Sequence, residues 1–301
     1  MRWSRSTSAI AVPSLVAVPS LVAVSSLVAA VVIAVRARRR VDDVVRRPRA
    51  VAGQGRRAGT STLVVCVGDS LTAGQLSADW VGLLAERLGP QGYEFVNAGA
   101  NSQLAFNVLQ RLDEVIACDP DVVTLLVGSN DVLATLSPAH EARYRRYQRL
   151  PQRPTLAWYR ENVERILDRL GAETRARLVV LELPLLGEDP DSDLNQRVVR
   201  YNRVLRERCE HRGVTCLPLH QRLADRLPAG HRAPPGAGST GPMAAAAARR
   251  LLLRRDWDTI AAGHGLRLLT DHVHLNDTAA EVVADLLTDA LTSAEPGIGG
   301  R

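Results

Sequence analysis

Ser70 closes an apolar run, Val64 to Gly68, inside the stretch VVCVGDSLTAG, and beyond it the chain stops being apolar. Such a run predicts a buried strand that delivers the serine hydroxyl into a glycine-bounded turn ahead of a helix. A helix N-terminus has backbone N–H groups without intrahelical acceptors, so the position suits a nucleophile or an anion cradle equally. Ser and Asp before a helix are also ordinary N-caps. The C-terminal stretch TDHVHLND adds Asp271, His272 and His274. A serine becomes a nucleophile when a histidine takes its proton and a carboxylate orients that ring. Asp271 and His274 lie three apart, so one irregular turn can present both to one cleft, with His272 as the rival base. Asn276 or Asp277 fits as the cap of the following helix. The two histidines lack a further nearby ligand for a metal.

Attack on an acyl carbonyl builds negative charge on oxygen, and each preorganised donor there is worth about 3 kcal/mol. Two other stretches offer donors. Gly99 in NAGANS lets a backbone N–H approach with no side chain in the way, and Asn130 in GSND can point its amide into a cleft. Asn97, Asn130 and Asp131 are equally suited to stabilising turns.

These residues need elements to hold them. From Ser61 onward, strand-like and helix-like segments alternate: TLVVCV, ADWVGLLAERLG, YEFVNAG, NSQLAFNVLQRLDEVIA, DVVTLLVG, YRENVERILDRLG, ARLVVLELP, LNQRVVRYNRVLRERCEHRG and VTCLPL. The helices place apolar residues three and four apart, as at Val163, Ile166, Leu167 and Leu170. The strands are continuously apolar, as in a sheet covered on both faces. The expected fold is an α/β, three-layer α/β/α sandwich with a central parallel sheet. In such a sheet ligands bind beyond the C-terminal strand ends, where GDSLTAG, NAGANSQ, GSND and, after the short apolar LRLL, DHVHLND all fall. GDS does not fit the G-x-S-x-G elbow of the α/β-hydrolases.

The 301 residues are 46% hydrophobic, enough for a real core, and carry a formal charge of +6. All the cations are arginines, much of the positive excess sits between Arg36 and Arg57, and without that stretch the domain is near neutral. Aromatic residues are 4%, so the pattern does not suit a nucleic-acid partner. Cys66, Cys118, Cys209 and Cys216 form no CxxC pair, which argues against structural zinc; Cys66 and Cys118 fit as small buried hydrophobes. Cys209 and Cys216 are expected as free thiols, with a disulfide open in an oxidising compartment.

No charge interrupts Ala9 to Val35, long enough to cross a bilayer as a helix. Pro13 and Pro19 weaken helix in its first half, which transmembrane helices tolerate. The competing reading is a secretory signal cleaved near Ala37. Arginines crowd the C-terminal flank, which favours an uncleaved N-terminal transmembrane anchor with the following domain in the cytoplasm. The expected organisation is an anchor over 1–35, a basic flexible linker over 36–60, the catalytic domain over 61–295 and a disordered tail over 296–301.

Over roughly residues 61 to 292 the chain resembles the SGNH hydrolases, the GDSL esterase and lipase family. The matching blocks are GDSLTAG with Ser70, NAG with Gly99, GSND with Asn130, and DHVH with Asp271 and His274, in the family's order. The resemblance implies a flavodoxin-like SGNH fold, a Ser70 nucleophile, a His274 base and an Asp271 orienter. It further implies an oxyanion site from the Ser70 and Gly99 backbone N–H groups and the Asn130 side chain, with Asp69 structural. No metal or organic cofactor is required. One departure is the missing glycine a few residues past Gly99, where Asn101, Ser102 or Gln103 stands instead. The implied reaction is hydrolysis of a small-molecule or lipid ester through an acyl-enzyme. An acyltransferase with the same triad, or an idle membrane-tethered binding domain, are the alternatives. Tyr144, Tyr147, Trp158 and Tyr159, in an insertion after the third strand, either line a pocket or pack. LPAGHRAPPGAGSTGPM is expected as a mobile loop, and the following alanine- and leucine-rich stretch as a packed helix or a cover.

Overall fold

The computed structural model of the chain describes residues 45–233 and 255–293, with Ala246 and Arg250. Among the described residues five strands form one wholly parallel sheet: β1 (Thr62–Gly68), β2 (Tyr93–Gly99), β3 (Val122–Leu126), β4 (Arg177–Leu181) and β5 (Thr215–Leu217), in the order β2-β1-β3-β4-β5. The chain reverses its direction of travel across the sheet between β1 and β3. A crevice therefore opens there, beyond the strand ends, where open α/β sheets bind ligands.

Each strand is rich in Val and Leu because both its faces are covered. Leu63, Val65 and Val67 of β1 point into one core, and Val64 and Cys66 into the other. The first core lies under α4 (Ala105–Leu109), α5 (Leu112–Ile116), α8 (Leu156–Glu173) and α9 (Asp193–Glu210). The second lies under α3 (Trp80–Leu88), α10 (Leu219–Ala224), α11 (Trp257–Ala262) and α12 (Asp277–Thr292). The three-layer reading of the sequence thus holds. Helix starts are fixed by side-chain caps: Asp79 accepts from Gly82 N at 3.0 Å, Thr155 from Trp158 N at 3.1 Å, Ser192 from Asn195 N at 3.3 Å and Asn276 from Ala279 N at 2.9 Å. The single helix expected over NSQLAFNVLQRLDEVIA is two short ones, α4 and α5, parted at Gln110 and Arg111. The Arg111 guanidinium is turned inward at that break, onto the Gly68 carbonyl at 2.9 Å and Gln103 Oε1 at 2.6 Å.

The expected flexible linker over 36–60 needs correction from residue 45 onward. Val45 and Val51 are buried, Arg46 bridges to Val96 on the outer edge of β2, and Pro48–Gln54 forms a helix, α1. The Arg46 guanidinium enters that helix's C-terminal end, donating to Ala50 O, Gly55 O and Gln54 Oε1, and meets buried Glu94 at 2.9 Å. An arginine run in sequence suggests a solvated tether, but this one carries its own acceptors. The apolar stretch 9–35, most of the stretches before Trp257 that were expected as a loop and as a helix, and the tail lie outside the described residues. Among the described residues no helix is long and apolar enough to cross a membrane. All four cysteines are free; Cys66 and Cys118 are buried as expected, and burial pushes the Cys66 thiol up to about 12.

Candidate active site

β1 ends at Gly68, and Asp69 caps the one-turn helix α2 (Ser70–Ala73) by accepting from Leu71 N at 3.0 Å. The turn stops at Gly74, whose φ of 68° is open to glycine, and Trp80 Nε1 braces it from outside on Leu71 O at 2.9 Å. Ser70 is the first residue of that turn, so its N–H has no intrahelical acceptor. Its hydroxyl lies 3.0 Å from Nε2 of His274.

His274 is held from its other side. Its Nδ1 lies 2.8 Å from Asp271 Oδ2, while Asp271 Oδ1 accepts from the backbone N–H of His274 at 2.9 Å and of Val273 at 3.2 Å. A carboxylate only accepts, so Nδ1 carries the proton and the Nε2 lone pair faces the serine hydroxyl. Burial works to raise the Asp271 pKa, but the His274 ring and the two N–H donors outweigh it, and the carboxyl sits below its ordinary value. His272 takes a different place. Its backbone is left-handed, φ 71°, and its carbonyl accepts from Gly187 N at 2.8 Å. Burial lowers its ring pKa, and no hydrogen bond joins it to Ser70 among the described residues.

The short apolar segment before Asp271 is not a sheet strand, since its one β-bridge is Leu269 to Leu275. What fixes it is Glu188, from the loop after β4. This carboxylate is 1% exposed and gathers the backbone N–H groups of Arg267, Leu268 and Leu269 at 2.7 to 2.9 Å. Beyond His274, Leu275 N donates to Ser77 Oγ at 3.1 Å and Leu275 O accepts from Ala78 N at 2.9 Å, tying the histidine to the segment that follows Ser70. Sequence reasoning missed Glu188, which stands in no recognisable motif.

The expected oxyanion donors fare differently. Gly99 is paired in register with Gly68, but its N–H already donates to Asn97 Oδ1 at 2.9 Å, so it is not the free donor expected. Glycine is needed there for another reason: a Cβ would lie 2.3 Å from Ala73 N, inside the turn that carries Ser70. Asn97 Nδ2 holds the same turn through Thr72 O at 2.7 Å. A few residues on, Ser102 has φ 60°, marking it as the glycine-favouring position that the departure in this loop left undecided. Asn130, at the start of α6 (Ser129–Leu133), donates from Nδ2 to Asp69 Oδ2 at 3.2 Å and to Gln103 O at 3.1 Å. Its Oδ1 accepts from Tyr144 at 2.7 Å. Tyr144 comes from α7 (Pro138–Gln148), and Trp158 of α8 stacks on Phe106 at 5.1 Å; both tyrosine and tryptophan are buried in the core, while Tyr147 is exposed.

Two buried acids flank Asn130. Burial raises Asp69 to about 6 against the hydrogen bonds from Leu71 and Asn130, and burial with the nearby Asp69 raises Asp131 to about 8. Asp131 accepts from Ala105 N at 3.0 Å, at the start of α4. Among the described residues no group of three or more His, Cys, Asp or Glu side chains could hold a metal.

The GDSL-like lipase/acylhydrolase family matches residues 66–282. Esterase TesA of Pseudomonas aeruginosa is 38% identical over 88 residues, covering 27% of this chain and 43% of that esterase, so the chain spans less than half the length of this relative. Of solved structures, the acetylxylan esterase Axe2 from Geobacillus stearothermophilus is similar with a TM-score of 0.57 at 14% identity, over 79% of this chain and 98% of that one. LAE5, an alpha/beta hydrolase enzyme from the metagenome of Lake Arreo, Spain, gives 0.55 at 15% identity over 77% and 95%. At those identities the likeness is one of fold.

Proposed function

The chain belongs to the GDSL-like lipase/acylhydrolase family, and from this premise we propose that it is an ester hydrolase that cleaves carboxylic esters through an acyl-enzyme on Ser70. The observation that carries the reading is the continuous hydrogen-bonded line from Ser70 Oγ through His274 to Asp271. In the proposed reaction His274 Nε2 takes the hydroxyl proton as Ser70 Oγ bonds to the ester carbonyl carbon. The tetrahedral adduct collapses, the alkoxy group leaves as the alcohol with the proton from His274, and the acyl group stays on Ser70. Water, deprotonated by the same Nε2, attacks that ester; the acyl–Oγ bond breaks, His274 returns the proton to Ser70 Oγ, and the acid is released. Asp271 keeps the imidazole in the working tautomer and stabilises its charged form.

The developing oxyanion is assigned to the Ser70 N–H and the Asn130 amide. Because the Gly99 N–H is engaged, the third donor is sought in the loop at Ser102, beside the Gln103 carbonyl that touches Asn130. An oxyanion replaces Gln103 O as acceptor for one Asn130 N–H. The names of the similar proteins, esterase and acetylxylan esterase, favour acetyl esters as the first substrates to try. The apolar stretch 9–35 fits a membrane tether with the hydrolase on the cytoplasmic side; digestion of the domain by protease added outside intact cells would overturn that orientation.

A fluorophosphonate probe tests the central assignment. The purified chain should be modified at Ser70 by mass spectrometry, and Ser70→Ala should lose both labelling and ester hydrolysis. Full hydrolysis by Ser70→Ala would refute it.

A further inference from the structure

The Asn130 side chain has four hydrogen-bonding positions, and the partners differ in what they leave available. Asp69 Oδ2 and Gln103 O both take N–H donors, the same donors that an oxyanion needs. Among the described residues the amide oxygen has one side-chain partner, the hydroxyl of Tyr144 at 2.7 Å. When an oxyanion displaces Gln103 O, the amide is left held by Asp69 and Tyr144, and only Tyr144 holds it without occupying a donor. A hydrogen bond received at the amide oxygen also draws charge from the nitrogen, so its N–H groups donate more strongly. An amide turned over would set Oδ1 against the Asp69 carboxylate and the Gln103 carbonyl, and its NH2 against a phenol.

Tyr144 is placed for this by α7. The ring is buried, 7% exposed, and the Arg143 guanidinium sits over it at 5.4 Å. Ser137 caps the helix start, accepting from His140 N at 3.3 Å, and the last-turn carbonyl of Gln148 accepts from Asn107 Nδ2 at 3.2 Å, fastening the helix to α4. Burial pushes the Tyr144 phenol up to about 12, so it remains a neutral donor through the range in which a histidine base works.

We propose that Tyr144 is a positioning residue for ester hydrolysis: by donating to Asn130 Oδ1 it fixes the amide with its nitrogen toward the reacting carbonyl oxygen, making the helix inserted after β3 part of the oxyanion apparatus. This rests on the reading of Asn130 as an oxyanion donor.

The test is steady-state hydrolysis of p-nitrophenyl acetate by the full chain and by Tyr144→Phe, Asn130→Ala, the double variant and Ser70→Ala. Turnover is expressed per Ser70 titrated by fluorophosphonate in the variants that keep Ser70, so that a misfolded fraction does not count, and per total folded protein in Ser70→Ala. Losing an oxyanion donor costs about 10² to 10³ in kcat, and losing its positioner should cost about 10-fold, with KM changed less than about 2-fold. In the Asn130→Ala background Tyr144→Phe should cost nothing further, an outcome that a merely structural tyrosine would not give. Wild-type kcat in Tyr144→Phe beside a slow Asn130→Ala would overturn this inference alone. So would the same loss with and without Asn130. An active Ser70→Ala or a fully active Asn130→Ala would overturn the parent reading and this inference with it.

Discussion

His274 Nε2 lies 3.0 Å from Ser70 Oγ across 204 residues of chain. His272, two positions earlier in the same turn, is directed elsewhere by a left-handed backbone. Replacing His274 with Ala should therefore lower kcat by about 10³-fold or more. His272→Ala should stay within about 10-fold of wild type on p-nitrophenyl acetate. The reverse ranking would move the general base to His272.

Glu188 touches neither Ser70 nor His274, yet it fixes the segment that leads to Asp271. Glu188→Ala would leave three backbone N–H groups unpaired, at about 1 to 3 kcal/mol for each that stays dry. The expected result is a loss of roughly 3 kcal/mol in urea unfolding together with a lowered kcat. Glu188→Gln keeps one acceptor oxygen and should fall between. Unchanged stability and activity in the alanine variant would show that this segment is held by its packing alone.

The layers and the loops after β1, β2 and β3 were legible in the sequence because they rest on short-range rules: covered strands are continuously apolar, and ligand-facing side chains follow strand ends. Ser70 falls after β1 for that reason, whereas Asp271 and His274 were legible by residue type and spacing alone, since the segment before them is not a sheet strand and is held by Glu188 and Ser77. Gly99 was misread because a glycine after a strand has two physical uses, a free N–H or a close approach, and only the 2.3 Å clearance to Ala73 N and the bond to Asn97 decide between them. Glu188 and Tyr144 act through contacts 79 to 81 and 14 residues away, which no local pattern records. Arg46 looked solvated because charge runs usually are, whereas its acceptors come from the helix it precedes and from Glu94 on β2.

Two glycine exchanges should separate the parts of the loop after β2. Gly99→Ala forces a Cβ against the backbone of the Ser70 turn and should cost about 3 kcal/mol or more, with a steep fall in kcat. Ser102→Gly relieves a left-handed serine and should leave stability within about 1 kcal/mol of wild type, or slightly higher. Thermal unfolding of both variants checks the pair, and a tolerant Gly99→Ala would contradict the close approach.

Asp69 and Asp131 bind protons more tightly in the folded chain, at about 6 and about 8, than an unfolded aspartate near 3.8. The stability those protons contribute is complete below about pH 4 and is lost as pH rises through 6 and 8. Asp131→Asn removes the larger of the two losses. Relative to wild type it should gain on the order of 3 kcal/mol between pH 5 and pH 8, measured by urea unfolding at each pH. A constant difference across that range would mean that Asp131 is ionised throughout.

The pair Arg46 and Glu94 makes the segment before β1 part of the domain. Side chains 9% and 3% exposed hold opposite charges 2.9 Å apart, and the remaining Arg46 donors are spent on the end of α1. Hydrogen bonds from Arg57 N and Thr60 to Glu94, together with that pair, hold the carboxyl below its ordinary value against its burial. Removing one partner leaves a buried charge without compensation, so Arg46→Met should cost about 3 to 5 kcal/mol. Arg46→Met with Glu94→Met should cost less than the two single losses added, because neither charge is then stranded. The same packing covers the outer edge of β2, whose end carries the Asn97 and Gly99 carbonyls that Arg47 holds at 3.1 and 3.3 Å beside the Ser70 turn. A chain beginning at residue 61 should thus be less stable and slower on p-nitrophenyl acetate than one beginning at residue 45. Equal stability and rate in the two would return residues 45–60 to the role of a tether.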